Sequence, residues 1–174
     1  FLNLFYTSIV GGYYLIIQRV VGAPISIVGS AVADVFRQEA NTAYIDRGEC
    51  KKEYLDAVSR LLLVSVVPFF IFGYIAPDLF ALVFGDNWRL AGEYAQILTP
   101  MFFLQFLVSP ISCMYMISGN QREDLFLQLA IVLVVTLIFS LDLPITDTFV
   151  IFAAFYSFIY ILVLGRTYRF SKGL

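Results

Sequence analysis

Long apolar runs separated by short charged segments divide the chain into stretches that are each long enough to cross a bilayer. A membrane helix needs about 20 mostly apolar residues to cross roughly 30 Å of hydrocarbon. Five complete runs and the end of a sixth fit this requirement: residues 12–34, 57–76, 94–118, 125–141 and 149–165, with the partial run at 1–10. The pattern therefore predicts an all-α polytopic membrane protein, a helix bundle of five complete transmembrane helices plus the end of a sixth.

Composition supports the membrane assignment and excludes several kinds of catalytic site. Of the 174 residues, 60% are hydrophobic and 14% are charged, and the mean hydropathy is +0.85. The sequence contains no histidine, which excludes a Ser-His-Asp triad, a Cys-His pair and every histidine-based metal site within it. Its two cysteines, Cys50 and Cys113, are too far apart in sequence for a zinc pattern. We expect no catalytic residue, no metal site and no cofactor, and hence a protein that is not an enzyme.

The distribution of basic residues predicts the orientation in the membrane. Eleven Lys and Arg against 13 Asp and Glu leave no positive excess for a nucleic-acid partner. Apart from Arg19 and Arg89, all the basic residues lie in three segments, which are residues 37–60, the turn at 119–124 and the C-terminal tail: Arg37, Arg47, Lys51, Lys52, Arg60, Arg122, Arg166, Arg169 and Lys172. By the positive-inside rule these segments, and with them the C-terminus, are predicted to be cytoplasmic.

Two connecting segments carry signals of their own. Residues 37–56 alternate acidic and basic side chains and contain a DRG turn signal at 46–48, which predicts a short surface helix followed by a turn. Residues 76–92 are polar at their ends and too short for a span. Trp88 in that segment is placed as an interfacial anchor on the outer side.

A charged residue inside the first complete span needs a partner or water. Arg19 lies seven residues after Gly12, about 10 Å along the helix at 1.5 Å per residue. An arginine at the centre of a span costs roughly 2.5 to 3.5 kcal/mol on insertion scales. At about 100° per residue, the residues on the Arg19 side are small or polar: Ala23, Ser26, Ser30, Asp34 and Arg37.

The opposite side of this helix is apolar, with Ile17, Val21, Val28, Val32 and Val35. This division predicts a helix whose apolar side contacts lipid and whose polar side lines a water-filled cavity or a neighbouring helix. Pro24 removes one backbone hydrogen bond, so a kink is expected there. The span at 94–118 repeats the pattern more weakly, because Gln105, Ser109 and Ser112 share one face.

Each of these polar residues also has a simpler interpretation. Serines in membrane helices commonly serve as packing contacts between helices, which applies to Ser109. Arg19 would then extend its guanidinium to the outer headgroups, or pair with a carboxylate elsewhere. Asp34, close to the predicted inner surface, is a solvated helix-end residue in this interpretation and a candidate for ion coupling in the other.

Three sequence runs resemble a known family. Residues 11–40, 79–103 and 108–112 resemble the second half of bacterial polysaccharide or lipid-linked oligosaccharide flippases, the O-antigen flippase-like members of the multidrug/oligosaccharidyl-lipid/polysaccharide exporter superfamily. The resemblance covers about residues 11–120, and the last two helices are similar in hydropathy alone. Its most specific parts are Gly12-Tyr13-Tyr14, Gln18-Arg19, Pro24, Phe84-Gly85, Trp88 and Ala91-Gly92.

The resemblance implies an architecture and a transport function. It implies two six-helix bundles that face each other across a central cavity in the bacterial cytoplasmic (inner) membrane, with this chain as the second bundle. Because Phe1 is not an initiator methionine, we expect a longer protein whose N-terminal bundle is missing here. The implied activity is the flipping of an isoprenoid-pyrophosphate-linked oligosaccharide to the outer leaflet by alternating access, for surface polysaccharide and lipopolysaccharide biosynthesis.

The same resemblance implies roles for the polar side chains. Arg19 matches in type and depth the basic cavity residues that contact the pyrophosphate of the substrate, and a guanidinium can hold phosphate oxygens bidentately. The expected cavity lining is Gln18, Ser26, Ser30, Gln105 and Ser109, with Asp34 for ion coupling. The expected partners are the lipid-linked glycan, the bilayer and the missing bundle.

Three other classes of protein remain open at this stage. A drug or cation exporter of the same superfamily would favour carboxylates in its cavity, whereas this half embeds one arginine and no mid-span Asp or Glu. A membrane-embedded polysaccharide polymerase or ligase needs a catalytic base or metal-binding carboxylates near a large loop. A purely structural membrane subunit would leave Arg19 unexplained.

Overall fold

The computed structural model describes residues 8–141 and 143–173. In this part of the chain, five helices are long and apolar enough to cross a membrane: Val10–Arg47, Lys51–Phe84, Asp86–Ile117, Gln121–Ser140 and Ile145–Ser171. The prediction of an all-helical chain with five complete spans is therefore confirmed, which is consistent with a multi-pass membrane protein. The predicted partial span at residues 1–10 lies largely outside the described residues.

The first spanning helix contains a π-helical turn in its middle. It consists of α1 (Ser8–Ile17), a π segment (Gln18–Gly22) and α2 (Ala23–Arg47), without a break between them. Pro24 comes two residues after the end of the π segment and has no N–H for the carbonyl four residues earlier, so the helix widens there. The sequence predicts an irregularity at Pro24, and the structure has one in this form.

The first helix is also longer than predicted, because it continues past residue 34 to Arg47. It ends at Gly48, whose φ of +74° places it in the left-handed region and whose N–H donates to the carbonyl of Tyr44 at 2.9 Å. Glycine adopts this conformation without strain, which makes it a common helix C-cap. The turn signal at residues 46–48 is confirmed, but the separate surface helix predicted before it is the end of the spanning helix.

The second helix, α3 (Lys51–Phe84), extends well beyond the predicted span at 57–76 and contains Pro68 and Pro77. Residues 76–92 are therefore not one extended outer connection, as the sequence suggested. The apolar run at 79–84 continues the helix until Gly85, where φ is +96°. A 3₁₀ turn, Asp86–Trp88, then leads into the next helix.

The third spanning helix is the centre of the bundle. It consists of α4 (Arg89–Ile111), a short break, and α5 (Met114–Ile117), where the sequence predicted one span at 94–118. The most apolar stretch of this helix is 61% buried, against 11% for the second helix. It packs against α2 and α3 on one side and against α7 (Ile145–Ser171) on the other.

The fourth helix, α6 (Gln121–Ser140), lies at the edge of the bundle. Its apolar stretch is 11% buried, and its contacts are to α7 and α5. A bidentate ion pair joins its first turn to the last turns of α7, with Arg166 Nε 2.6 Å from Glu123 Oε1 and Arg166 Nη2 2.5 Å from Glu123 Oε2. The predicted spans at 125–141 and 149–165 correspond to α6 and α7, which both begin four residues earlier and end at Ser140 and Ser171.

Contacts between the helix ends bring the three basic segments together. The N–H of Cys50 donates to the carbonyl of Ser171 at 2.8 Å, and the Arg166–Glu123 pair joins the tail to the 119–124 turn. At the opposite end, the rings of Tyr13 and Trp88 meet edge to face at 5.6 Å. The basic segments therefore share one end of the bundle, as the charge pattern predicts, and the assignment of that end to the cytoplasm stays a prediction.

Candidate functional site

Arg19 lies within the π segment of the first helix with its side chain exposed. It is six residues beyond Tyr13, whose ring contacts Trp88, and is therefore about 9 Å further along the helix at 1.5 Å per residue. Among residues 8–141 and 143–173, no carboxylate lies within 4.0 Å of its guanidinium. The structure thus presents Arg19 in the first long apolar helix, without an ion-pair partner in the described chain.

The other polar residues that the sequence groups with Arg19 are exposed as well. Ser26, Ser30 and Asp34 are all exposed, and the Ser30 hydroxyl donates to the carbonyl of Ile27 in its own helix at 2.9 Å. A serine that bonds its own helix leaves its side of the helix free for other molecules. We call the residues Arg19, Ala23, Ser26, Ser30 and Asp34 the polar edge.

The apolar side of the first helix is only partly as predicted. Ile17 and Val21 were expected to touch lipid, yet they are 0% and 8% exposed and pack in the core of the bundle. Val28 and Val35 are exposed, as expected. The difference arises because the π segment inserts about one extra residue, which shifts the face of the helix by roughly 100° between its two halves.

Gln18 does not share the environment of Arg19. Its Nε2 donates to the hydroxyl of Tyr14 at 2.7 Å, and the ring of Tyr14 in turn packs against Phe149 and Phe152 of α7. The predicted neighbours Gln18 and Arg19 are therefore on different sides of the helix. The side-chain bond to Tyr14 gives Gln18 a structural partner inside the bundle.

Ser109 meets the first helix where two small residues allow a close crossing. A Cβ added to Gly29 would lie 3.7 Å from Ser109 Oγ and 3.9 Å from Pro110 Cγ. Ser109 is exposed beside this crossing, while Gln105 one turn earlier is half-buried. The structure thus brings Ser109 to Gly29, the chain neighbour of Ser30, in a geometry that matches the packing role of small residues in membrane helices.

A feature that the sequence did not reveal is an apolar groove between the first and second helices. It comprises two adjoining cavities of about 380 and 500 Å³ that share Val28, Val64 and Phe106. We call this the interhelical groove. Its apolar part also includes Val20, Ile25, Val32, Val35, Leu61, Phe69 and Phe72, and its mouth is lined by Glu39, Asp56 and Arg60.

The arrangement offers binding groups rather than an assembled catalytic centre. The polar edge supplies one cation, two hydroxyl groups and, about 22 Å from the cation at 1.5 Å per residue, the carboxylate of Asp34. Among the described residues, no group of three or more acidic or cysteine side chains is placed to hold a metal ion. These groups suit the recognition of a phosphate or another anion by Arg19.

Comparison of the chain with protein-family models, with curated proteins and with solved structures finds no match. The flippase resemblance therefore rests on the residues quoted for it above.

Proposed function

We propose that this chain forms one bundle of a two-bundle transporter. The transporter moves an isoprenoid-pyrophosphate-linked oligosaccharide from the cytoplasmic to the outer leaflet of a bacterial inner membrane by alternating access. The observation that carries the proposal is the exposed Arg19, which has no carboxylate partner in the described chain. The sequence resemblance supplies the class of substrate.

The energetics of the arginine favour a cavity over lipid on the polar edge. An arginine in mid-span costs roughly 2.5 to 3.5 kcal/mol on insertion scales unless it reaches water, an anion or a partner. Serine and aspartate on the same edge would add to this cost if hydrocarbon covered them. A second bundle that faces the polar edge across water removes the penalty, and a pyrophosphate that enters the cavity supplies a bidentate acceptor for the guanidinium.

The position of the other residues agrees with such a cavity. Ser109 lies beside Gly29 at the crossing of the first and third helices, and Ser30 follows Gly29 in the chain. Both helices therefore contribute a hydroxyl group, about 15 Å along the first helix from Arg19 at 1.5 Å per residue. We place Ser26, Ser30, Ser109 and Gln105 in the lining, and Gln18 behind it through its bond to Tyr14. Asp34, at the end of the edge nearer the basic segments, is the proposed ion-coupling residue.

The test uses the complete gene in a deletion strain. Lipid-linked glycan and surface polysaccharide are extracted after complementation with wild type, Arg19→Ala, Arg19→Lys and the control Arg89→Ala. Arg89 is exposed and paired with Asp78 at 2.6 Å, so its loss removes a charge without touching the polar edge. We expect wild type and Arg89→Ala to restore export, Arg19→Ala to fail, and Arg19→Lys to restore part of it.

Two results would contradict the proposal. Normal export by both Arg19 variants, at membrane levels equal to wild type, would remove the role of this residue. Normal glycan export in the deletion strain itself, together with a new sensitivity to cationic drugs, would instead support a drug exporter of the same superfamily.

A further inference from the structure

We propose that the interhelical groove binds one zwitterionic phospholipid, with an acyl chain in its apolar part and the headgroup at its charged mouth. This site is separate from the polar edge. At about 100° per residue, Val28 in the groove and Ser30 on the polar edge lie about 200° apart around the first helix. Ile27, which also lines the groove, lies within about 20° of Asp34 by the same rotation. A second bundle that covers the polar edge therefore borders the groove and leaves its Val28 side open to the membrane.

The apolar part of the groove has the dimensions of an acyl chain. Its lining on the first helix runs from Val20 to Val35, about 22 Å at 1.5 Å per residue. One leaflet contributes about half of the roughly 30 Å of hydrocarbon, so a chain of one leaflet fits along the groove with room beyond its end. Phe106 of α4 forms the floor and is 6% exposed.

The apolar part of the groove does not require hydrogen-bonding groups in the molecule that fills it. Ser65 is the hydroxyl residue in the lining, and it is 2% exposed with its hydroxyl directed at the carbonyl of Leu62 in its own helix, at 3.5 Å. If the interhelical groove were empty, the side chains on both of its walls would lack dispersion contacts. In a bilayer, a lipid acyl chain is the molecule that fills such a groove with the smallest free-energy cost.

The charges at the mouth select the headgroup. Arg60, Glu39 and Asp56 line the mouth, and none of them forms an ion pair with a described residue. Arg60 is also the last charge on α3 before Asp78, which places it at the edge of the apolar stretch. An adjoining polar cavity shares these three residues and adds Asp46, Arg47, Lys52 and Glu53. The mouth thus offers both cations and carboxylates, which match the phosphate and the ammonium of a zwitterionic headgroup such as phosphatidylethanolamine.

The same charges disfavour purely anionic ligands. Phosphatidylglycerol or an isoprenoid pyrophosphate would bring its phosphate to Arg60 but would also face Glu39 and Asp56. Like charges at such distances repel, and the repulsion is only partly screened at the membrane surface. The groove is therefore a site for a membrane phospholipid and not for the headgroup of the proposed transport substrate.

The experiment measures lipid retention by the full-length protein. The protein is delipidated in detergent, incubated with phosphatidylethanolamine or phosphatidylglycerol of matched acyl chains, and analysed by native mass spectrometry. We expect one tightly retained phosphatidylethanolamine per chain and weaker retention of phosphatidylglycerol. Arg60→Gln should weaken the affinity for phosphatidylethanolamine about fivefold, the effect of losing one basic residue near a charged lipid headgroup. Arg122→Gln, at the same end of the bundle but outside the groove, should not.

A second pair of variants tests the apolar part. Val28→Trp fills the centre of the groove and should abolish retention, whereas Leu63→Trp, on the exposed side of α3 at 83% exposure, should leave it unchanged. Equal retention by both tryptophan variants would overturn the proposal, as would equal binding of the two phospholipids. A photoreactive residue at position 28 that cross-links to protein instead of lipid would also overturn it. None of these results depends on transport activity.

Discussion

At the scale of single residues, Gly92 marks a close approach of two helix backbones. A Cβ at this position would lie 2.5 Å from Pro77 Cα and 2.6 Å from the carbonyl oxygen of Ala76. Both are backbone atoms of α3 and have no rotamer that relieves the contact. Small residues permit such crossings in membrane helices, so only glycine fits here without moving α3 away from α4.

We therefore expect Gly92→Ala to destabilise the protein by about 1 to 3 kcal/mol, the usual range for an overpacked core. The measurement is the melting temperature of the purified protein in detergent. Gly165→Ala is the matched control, because nothing lies within 4 Å of its added Cβ and alanine favours a helix over glycine. Equal melting temperatures for Gly92→Ala and wild type would show that the helices can separate at this point without cost.

Cys50 is a second residue whose surroundings decide its chemistry. It lies in the turn between the first two helices, is 0% exposed, and its thiol is 3.6 Å from the sulfur of Met114. Burial raises its pKa from 9.0 to about 11. Since the thiolate is the reactive form, only about one thiol in a thousand is ionised at pH 8.

We expect the folded protein with Cys113→Ala to resist maleimide at pH 8, and to react once denaturant exposes Cys50. Asn41→Cys, at an exposed position of the first helix, is the control and should react at once. Rapid labelling of native Cys50 would contradict this picture.

The raised pKa also means that the Cys50 thiol keeps its proton to a higher pH in the folded state than in the unfolded chain. The free energy of unfolding should therefore fall as the pH rises from about 9 towards 11.

At the scale of elements, α6 is the helix least supported by packing. It touches α7 and α5 at the edge of the bundle, and the Arg166–Glu123 pair fixes its first turn. Both side chains of the pair are partly exposed, at 44% and 37%. The pair therefore contributes at most roughly 0.2 to 1 kcal/mol.

Arg166→Ala should loosen the start of α6 without unfolding the bundle. We expect hydrogen exchange of the amides at residues 121–128 to accelerate up to about fivefold, the factor that corresponds to 1 kcal/mol. Arg122→Ala, in the same turn and without an ion pair to a described residue, should leave the exchange unchanged. Acceleration throughout α7 instead would indicate that the pair supports the whole bundle.

The number and order of the helices follow directly from the sequence, whereas their lengths do not. Hydropathy detects the part of a helix that lies in hydrocarbon, so α3 was predicted at 57–76 and its polar first turns were missed. The first spanning helix ends before Gly48 and α3 ends before Gly85, and both glycines have positive φ. The sequence of the segment at 46–48 indicated the first of these ends, because its turn signal does not depend on hydropathy.

The candidate site was predicted in part for a different reason. The polar edge follows from a rotation of 100° per residue, and it is correct where the helix is regular, at Ser26 and Ser30. The π segment at Gln18–Gly22 breaks that rotation, which explains why Val21 packs in the core and does not lie on the lipid side. Gln18 was placed in the lining by the resemblance, although adjacent residues of a helix already point about 100° apart. The interhelical groove needs two helices at a specific separation, and no single-helix pattern contains that information.

At the scale of the whole molecule, the arrangement of charge predicts which end faces the cytoplasm. The contact between Cys50 and Ser171 and the ion pair at Glu123 gather the basic segments at one end. With cysteine-free protein in intact cells, we expect Asn87→Cys to react with an impermeant maleimide from outside. Asn41→Cys should react only after the membrane is permeabilised. Both positions are exposed, so the opposite labelling pattern would reverse the topology.

The length of α3 has a mechanical consequence. From Pro77, held against Gly92, the helix continues back for 26 residues to Lys51, about 39 Å at 1.5 Å per residue. That end is not free, because the hydroxyl of Tyr54 donates to the carbonyl of Leu164 in α7 at 3.0 Å and the N–H of Cys50 donates to the carbonyl of Ser171 at 2.8 Å. The helix is therefore held at both ends, against α4 at Pro77 and against α7 at Tyr54. A movement of α4 relative to α7 has to bend α3 or break one of these contacts.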